Sequence, residues 1–305
     1  MEDDKYPKAE NTQRPIIFGE VLFDTFPDGS AVLGGAPFNV AWHLTGFGVN
    51  PLFISRVGDD ENGHTVKQLM LNWGMDVSGL QQDTEHETGK VSIELNQGQP
   101  SFSILPEQAY DYIQKQQSLA LVEKNSPTSL LYYGSLVNRH PVSSASLSAL
   151  RQLNISTYVD INLREPWWDK EMIDGVIQQA SWLKLNDDEI SIVCEQQDVH
   201  LAAKHLIQKY GLEWVIVTQG ADGAFIATKA QTIECAPVKV ETIADTVGAG
   251  DAFSAVTLYG IINHWPLQAI LKRAVEFAAQ ICAVRGATVN DKQFYQHIMD
   301  TWQRE

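Results

Sequence analysis

The string DTVGAGDAF, Asp245 to Phe253, is the part of the sequence best suited to chemistry. Gly248, Ala249 and Gly250 are small enough for successive backbone N–H groups to converge. An apolar-periodic run from Ala252 to Ile262 then begins a helix, so an anion would meet free amides and the positive end of the helix dipole. Asp251 falls in the first turn beside that anion, where a carboxylate can accept the proton of an attacking hydroxyl. Taken alone, the same pattern is also a glycine-rich turn with Asp251 as a helix cap. No GxxxxGK[ST] occurs, so this is not a P-loop. Phe253 stands where a dinucleotide fingerprint needs its third glycine.

Strands alternating with helices must position this string. PIIFGEVLFDTF, 15–26, is a β-rich apolar run interrupted by Gly19, and PLFISRVG, 51–58, is a second. GGAPFNVAWHLTGFG, 34–48, lies between them as a helix. Val66, Leu69, Met70 and Trp73 recur at three- and four-residue spacing and predict an amphipathic helix over 62–74. Strands follow at 129–134, 156–162, 182–186 and 213–218, most with helical stretches between them. From Ala249 onward the chain is mainly helical, through 267–284 and 294–302. The fold class is α/β, a doubly wound, mainly parallel central sheet flanked by helices. VSIEL (91–95) and SFSIL (101–105) break the pattern, since their alternation around Gln97-Gly98 predicts a hairpin that could serve as a small β lid.

A net charge of −16 opposes binding to nucleic acid or an anionic membrane surface, and no apolar run is long enough to span a bilayer. The polar start, 1–14, reads as a flexible tail without a leader, which points to the cytoplasm. Cys194, Cys235 and Cys282 are widely spaced and read as reduced structural thiols. An acidic protein can still hold a nucleotide if amides, a metal ion and a few local cations supply the positive potential.

DTVGAGDAF resembles, almost residue for residue, the C-terminal signature of the ribokinase-like (PfkB) carbohydrate kinases. Further segments agree in the family's order over about Pro15 to Ala287. The resemblance implies that Asp251 is the catalytic base and that Gly248, Ala249 and Gly250 form the anion hole. GEVLFD (19–24) and GGAPFNVA (34–41) look like the sugar-binding edge. They imply Asp24, Gly34, Gly35 and Asn39 as substrate ligands, with Gly35 letting the sugar approach the backbone, and Phe102 is the one aromatic the hairpin could offer. Asn39 also wants a reason on physical grounds, because Asn is disfavoured inside helices. RVGDDENG (56–63) resembles a family segment that serves the fold.

DINLREPWW (160–168) is similar to a stretch of bacterial fructokinases and suggests Arg164 as a cation near the transferred phosphate, a surface ion pair being the plain alternative. NDDE (186–189) fits the family's NxxE motif, in which Asn186 and Glu189 help place Mg²⁺ and phosphates, largely through water; by itself it is a helix-capping pattern. TQGADG (218–223) resembles the nucleotide-side turn, with Thr218, Gly220 and Gly223 near ATP, and Ala278 and Cys282 would pack against adenine or simply within the core. In several members the segments matching Asp245 and Val247, with the loop near Gly286, bind a monovalent cation such as K⁺.

The resemblance therefore implies one domain over 15–305, its lid built from about 20–34 and 86–106, acting on a sugar with ATP and Mg²⁺ and pairing as a homodimer through the lid. Fructose, phosphorylated at O6, is the first substrate it suggests. ILPEQAYDYI (104–113) departs from the fructokinase pattern and leaves ribose, another sugar or a nucleoside open. An inactive sugar-binding regulator is the alternative of another class.

Overall fold

The computed structural model of the chain describes residues 14–96 and 99–304, with the side chains of all of these except 93–102. The chain opens with strand β1 (Arg14–Phe18), passes through β2 (Leu22–Thr25) and β3 (Ala31–Gly34), and enters helix α1 (Ala36–Gly46). It continues through β4 (Leu52–Gly58), α2 (Glu61–Trp73), β5 (Leu80–Asp83), β6 (Gly89–Asn96) and β7 (Gln99–Ile104). The middle holds α3 (Lys115–Lys124), β8 (Thr128–Gly134), α4 (Pro141–Arg151), β9 (Ser156–Asp160), α5 (Lys170–Ile177) and β10 (Trp182–Asn186). Then come α6 (Asp187–Cys194), α7 (Val199–Tyr210), β11 (Trp214–Thr218), β12 (Ala224–Thr228) and β13 (Thr232–Cys235). Three helices close the chain: α8 (Ala249–Ile262), α9 (Leu267–Cys282) and α10 (Lys292–Arg304).

Nine strands make the central sheet in the order β13-β12-β11-β10-β9-β8-β1-β4-β5. Neighbours from β11 through β5 are parallel, and β12 and β13 add an antiparallel edge. Period-two alternation divides its side chains between two cores. Ile17, Tyr132 and Tyr158 go to one face, with Trp42 of α1, Val256 of α8 and Phe277 of α9. Ile16, Tyr133 and Val159 go to the other, with Leu147 of α4 and Leu206 of α7. Burial on both faces explains why these strands are nearly continuous apolar runs, as expected for a parallel sheet.

A separate four-stranded sheet, β3-β2-β6-β7, fits the small lid expected from 20–34 and 86–106. The 91–95/101–105 hairpin is β6 and β7 of this sheet, while Gln97 and Gly98 lie outside the described residues. RVGDDENG serves the fold: Asp60 caps α2 through the Gly63 amide (2.7 Å) and holds Thr88, at the entry to β6, through its amide at 2.8 Å and its hydroxyl at 2.7 Å. Arg14, assigned to the tail by composition, instead begins β1, and its guanidinium donates to Asp76 and Asn125. Residues 1–13 lie outside the described residues. No helix among the described residues is long and apolar enough to cross a membrane.

His43, fully buried on α1, ties this architecture to its C-terminal part. Its Nε2 donates to the Ala287 carbonyl at 3.0 Å, so Nδ1 accepts from the Tyr295 hydroxyl of α10 at 2.9 Å. Burial drives its pKa down to about 4, against the pull of the Ala287 carbonyl. The folded protein must therefore exclude a proton that the unfolded chain binds below about pH 6.5. Stability contributed by neutral His43 is complete above that pH and drains away towards pH 4, by up to about 3 kcal/mol. Denaturant titrations between pH 7 and 4.5 should show this loss, and His43→Gln should flatten it while lowering stability at pH 7.

Candidate active site

Asp251 lies in the first turn of α8, which starts at Ala249, three residues before the apolar pattern suggested. The preceding Gly248 has φ 80°, and a Cβ there would lie 2.4 Å from the Ala287 Cβ, so only glycine fits both the left-handed backbone and the space. No side chain caps the helix. Among the described residues the amides of Gly250 and Asp251 donate to no protein group. A helix start with free amides is an anion site in waiting.

Asn39 of α1, 4% exposed, donates from Nδ2 to Asp251 Oδ2 at 2.8 Å. This contact joins residues 212 apart in sequence and supplies the reason for an Asn inside a helix. The Asn39 Oδ1 has no protein partner, leaving an acceptor aimed at the same place. Burial raises the Asp251 pKa to about 6. Asp160 adds to the rise, while the Asn39 bond, Lys184 and Arg164 oppose it. A carboxylate tuned to that range is ionised at neutral pH yet keeps enough basicity to take a proton.

Of the other residues expected at a sugar edge, Asp24 shares with Asp251 the nearby charge of Arg164. Asp24 on β2 makes no hydrogen bond to protein among the described residues, and burial raises its pKa while Arg164 holds it down. Gly34 stands across β3, with its would-be Cβ 3.5 Å from Asp24 Oδ2. Gly35, at φ 106°, also has a packing reason to be glycine. A Cβ there would lie 2.7 Å from the Glu20 carbonyl, so its close approach is to the β1–β2 link. The backbone of Phe102 pairs with Ile93, and its side chain lies outside the described atoms.

Arg164 is exposed and makes no ion pair among the described residues. Its Nη1 bonds only its neighbour's carbonyl, Leu163 O, at 3.0 Å, and its charge is felt at Glu20, Asp24 and Asp251. The structure therefore shows no surface ion pair for Arg164 among the described residues.

Asn186 and Glu189 form a capping box at the start of α6: Asn186 Oδ1 accepts from the Glu189 amide at 2.7 Å and Glu189 Oε2 from the Asn186 amide at 2.9 Å. Glu189 Oε1 also takes the Leu163 amide at 2.8 Å, fixing the loop that carries Arg164. Among the described residues no three His, Cys, Asp or Glu side chains are disposed to hold a metal ion.

Thr218 ends β11 beside Asn186, and Gly220 is exposed in the turn that follows, so both are at the C-terminal ends of the parallel strands. Gly223 is different. It is buried, with a would-be Cβ 2.2 Å from the Cys235 carbonyl, and its glycine serves packing against β13. Ala278 and Cys282 are half-buried on α9, and the Cys282 carbonyl accepts from the amides of Ala244 and Asp245. Asp245 in turn receives the amides of Val247 (3.0 Å) and Gly286 (3.3 Å), drawing those two loops together.

The profile of the pfkB family carbohydrate kinases matches residues 13–293. The fructokinase of Escherichia coli is 29% identical over 258 residues, covering 80% of this chain and 83% of that protein. A probable fructokinase-5 of Arabidopsis thaliana is 29% identical over 304 residues, covering 90% and 91%. Among solved structures, a fructokinase from Vibrio cholerae with fructose, ADP and calcium bound superposes with a TM-score of 0.78 at 24% identity, over 95% of this chain and 99% of that one. The aminoimidazole riboside kinase of Salmonella enterica gives a TM-score of 0.80 at 23% identity, over 94% and 100%.

Sequence reasoning missed the charges beneath Asp251. Lys184 of β10 is 5% exposed, and its Nζ lies 2.9 Å from both oxygens of Asp160 on β9; Ser254 of α8 donates to the same carboxylate at 2.7 Å. Glu20 is 3% exposed, has an unpartnered Oε2, and is raised to about 7 by burial and by Asp251 against the pull of Arg164 and Arg139. The available signal was a charged residue inside an apolar strand run: the lysine of WLKLN and the glutamate of PIIFGEVLF. Lys184→Met should strand a buried carboxylate at a cost of about 3–5 kcal/mol in denaturant unfolding. It should also move the Asp251 carboxyl titration above pH 6, since Lys184 is one of the charges holding it down.

Proposed function

The chain belongs to the pfkB family of carbohydrate kinases, and from that premise we propose that it transfers the γ-phosphoryl group of ATP to a hydroxyl of a neutral sugar, fructose at O6 before others, with Asp251 as base. The observation that carries this reading is the 2.8 Å contact between Asn39 and Asp251, which joins the sugar edge to the amide-lined start of α8. Asp24, Asn39 and the Gly34–Gly35 backbone would orient the sugar so that one hydroxyl meets the Asp251 carboxylate. Asp251 takes that proton as the oxygen attacks. In the anion hole expected at 248–250 the Ala249 amide already donates to the Thr246 carbonyl at 3.3 Å, so the free amides of Gly250 and Asp251, with the guanidinium of Arg164, would stabilise the charge that spreads over the transferring group.

Magnesium bound with the nucleotide would screen phosphate charge and link its oxygens. The donor set suits an ion that keeps most of its waters: Asp160 is engaged by Lys184 and Ser254, and Glu189 by two amides, so Glu189 would be reached through water. Asn186, Thr218 and Gly220 line the nucleotide side, with Ala278 and Cys282 beside the base. The Asp245 bonds to Val247 and Gly286 favour a monovalent cation between those loops. The lid sheet would close over the sugar and exclude water, itself a phosphoryl acceptor. Lid pairing between two copies would cover Val32, 45% exposed. Free thiols at Cys194, Cys235 and Cys282 suit a reducing cytoplasm.

ADP release with ATP and Mg²⁺ should be turned on by one sugar in a panel of fructose, ribose, glucose and nucleosides. Asp251→Asn should reduce kcat by about 10²–10⁴-fold. Binding without turnover on every substrate would make the chain a sugar-binding regulator instead. In the native enzyme kcat/KM should rise with pH through about 6 as Asp251 ionises. Because its folded pKa is raised, that ionisation costs stability as pH climbs. Asp251→Asn should therefore be more stable than the native chain at pH 8, by about 2–3 kcal/mol, with the gain shrinking towards pH 4.

A further inference from the structure

Beside the sugar edge lies a group of buried polar atoms that the catalytic reading does not use. Arg139, in the loop after β8, has a side chain 3% exposed. It spends Nε and Nη2 on Asp111, at 2.7 Å each, and Nη2 also on the Leu105 carbonyl at 2.7 Å. Its guanidinium carbon lies 5.0 Å from the centre of the Tyr110 ring and 4.5 Å from that of Trp167. Arg139 Nη1, Tyr110 OH, Trp167 Nε1 and Glu20 Oε2 are all buried and all without a protein partner. The charge of Glu20 is felt at both Arg139 and Tyr110, so the four are neighbours. One unsatisfied buried polar atom costs about 1–3 kcal/mol, so four together call for a ligand that satisfies them.

The fold puts this group against the substrate. Leu22, Val91 and Ile104 of the lid sheet pack with Tyr110 and Trp167. Leu22 and Asp24 share one face of β2, and Val91 is the register partner of Asp24. The orphaned atoms therefore lie behind the lid sheet, on the face of β2 that carries Asp24. Their chemistry is that of a hydroxyl reader: two pure donors, a hydroxyl that gives or takes, and a carboxyl that accepts. The charge decides between a neutral ligand and an acidic one. Arg139 is already neutralised by a bidentate carboxylate, and Glu20, Asp24 and Asp251 are all close by, so an added anion would meet net repulsion.

We propose that Arg139, Tyr110, Trp167 and Glu20 form a subsite that reads the hydroxyls of the acceptor away from the phosphorylated position, selecting a neutral polyhydroxylated sugar over a sugar acid. This rests on the kinase reading above and sharpens its substrate class. Arg139 itself is a poor probe, because removing it strands Asp111. Tyr110→Phe and Trp167→Phe each delete one hydrogen-bonding group and keep a ring.

For the sugar that is turned over, each variant should raise KM by about 3–10-fold, the worth of one hydrogen bond, with a much smaller change in kcat and in KM for ATP. Against deoxy analogues of that sugar, one analogue should lose affinity for the native chain yet bind native and Tyr110→Phe protein equally. A purely structural role for the hydroxyl would not produce that cancellation. Gluconate and other aldonic acids should bind at least tenfold more weakly than the corresponding neutral sugars. Unchanged KM in both variants would mean that the four atoms serve ordered water only, and preference for a sugar acid would overturn the charge argument. Calorimetric titration of the panel without ATP separates the two readings. Binding weakened in both variants, with no turnover in the native chain, upholds the subsite and removes the kinase, whereas turnover with unaltered binding does the reverse.

Discussion

Asp251 is a buried carboxylate in a protein whose net charge is already −16, and the charged groups around it set how readily it ionises. Burial alone would favour its protonated form. Lys184 supplies a positive charge from beneath, but a lone buried ammonium would be as costly as a lone carboxylate, so it is paired at 2.9 Å with both oxygens of Asp160. The pair is close to neutral, and Asp160 itself pushes the Asp251 pKa up while Lys184 and the Asn39 amide push it down. The outcome, about 6, is a balance of opposing terms rather than the effect of any one of them. Ser254, one turn after Asp251, bonds Asp160 at 2.7 Å, so the charges that tune the carboxylate also anchor the helix that carries it to β9.

The same acidity gives weight to the free amides at the start of α8. A cluster of lysines would be neutralised by neighbouring carboxylates and would depend on salt, whereas amide dipoles at a helix start are fixed and need no counter-ion. Fixing them requires Gly248 in the left-handed region against Ala287, and Ala287 is in turn held through its carbonyl by His43. A neutral, fully buried histidine on α1 thus sets the geometry of amides at the start of α8. Arg164 is the exception, an exposed cation with no ion pair among the described residues, and its exposure carries no standing desolvation cost.

Much of this was legible in the sequence, and the boundary is instructive. The strands and helices carrying DTVGAGDAF, Asp24 and Asn39 follow from period-two and period-3.6 patterns, because each element buries one or both faces. Gly223 and Gly35 were recognised as special positions but given ligand roles. A glycine in a motif reports a close approach without saying to what, and both approaches are to the protein's own backbone. Asn186 and Glu189 carry a pattern that a capping box and a metal relay share, and the structure displays the first. Lys184, Asp160, Glu20 and Arg139 stayed hidden because their partners are far off in the chain. A charge in an apolar run announces that a partner exists, but only topology says which.

The short link from β1 to β2 shows how few residues set the position of the Asp24 strand relative to the helix that carries Asn39. β1 ends at Phe18 inside the central sheet and β2 begins at Leu22 in the lid sheet, leaving Gly19, Glu20 and Val21 to cross between them, all buried. Gly19, at φ 151°, gives way to the Pro37 ring, and the Glu20 carbonyl abuts Gly35, so the link is wedged against the start of the same helix that carries Asn39. Asp24 and Asn39 are therefore referred to one rigid corner, although one belongs to the lid sheet and the other to the core. Strands β2 and β3 are both tied to that corner by covalent structure and packing, β2 through the link and β3 through Gly35, whereas β7 pairs only with β6. A three-residue crossing packed in this way leaves little freedom in how the Asp24 strand is placed relative to α1, and a fixed edge of that kind is what a site needs if another part of the fold is to cover it.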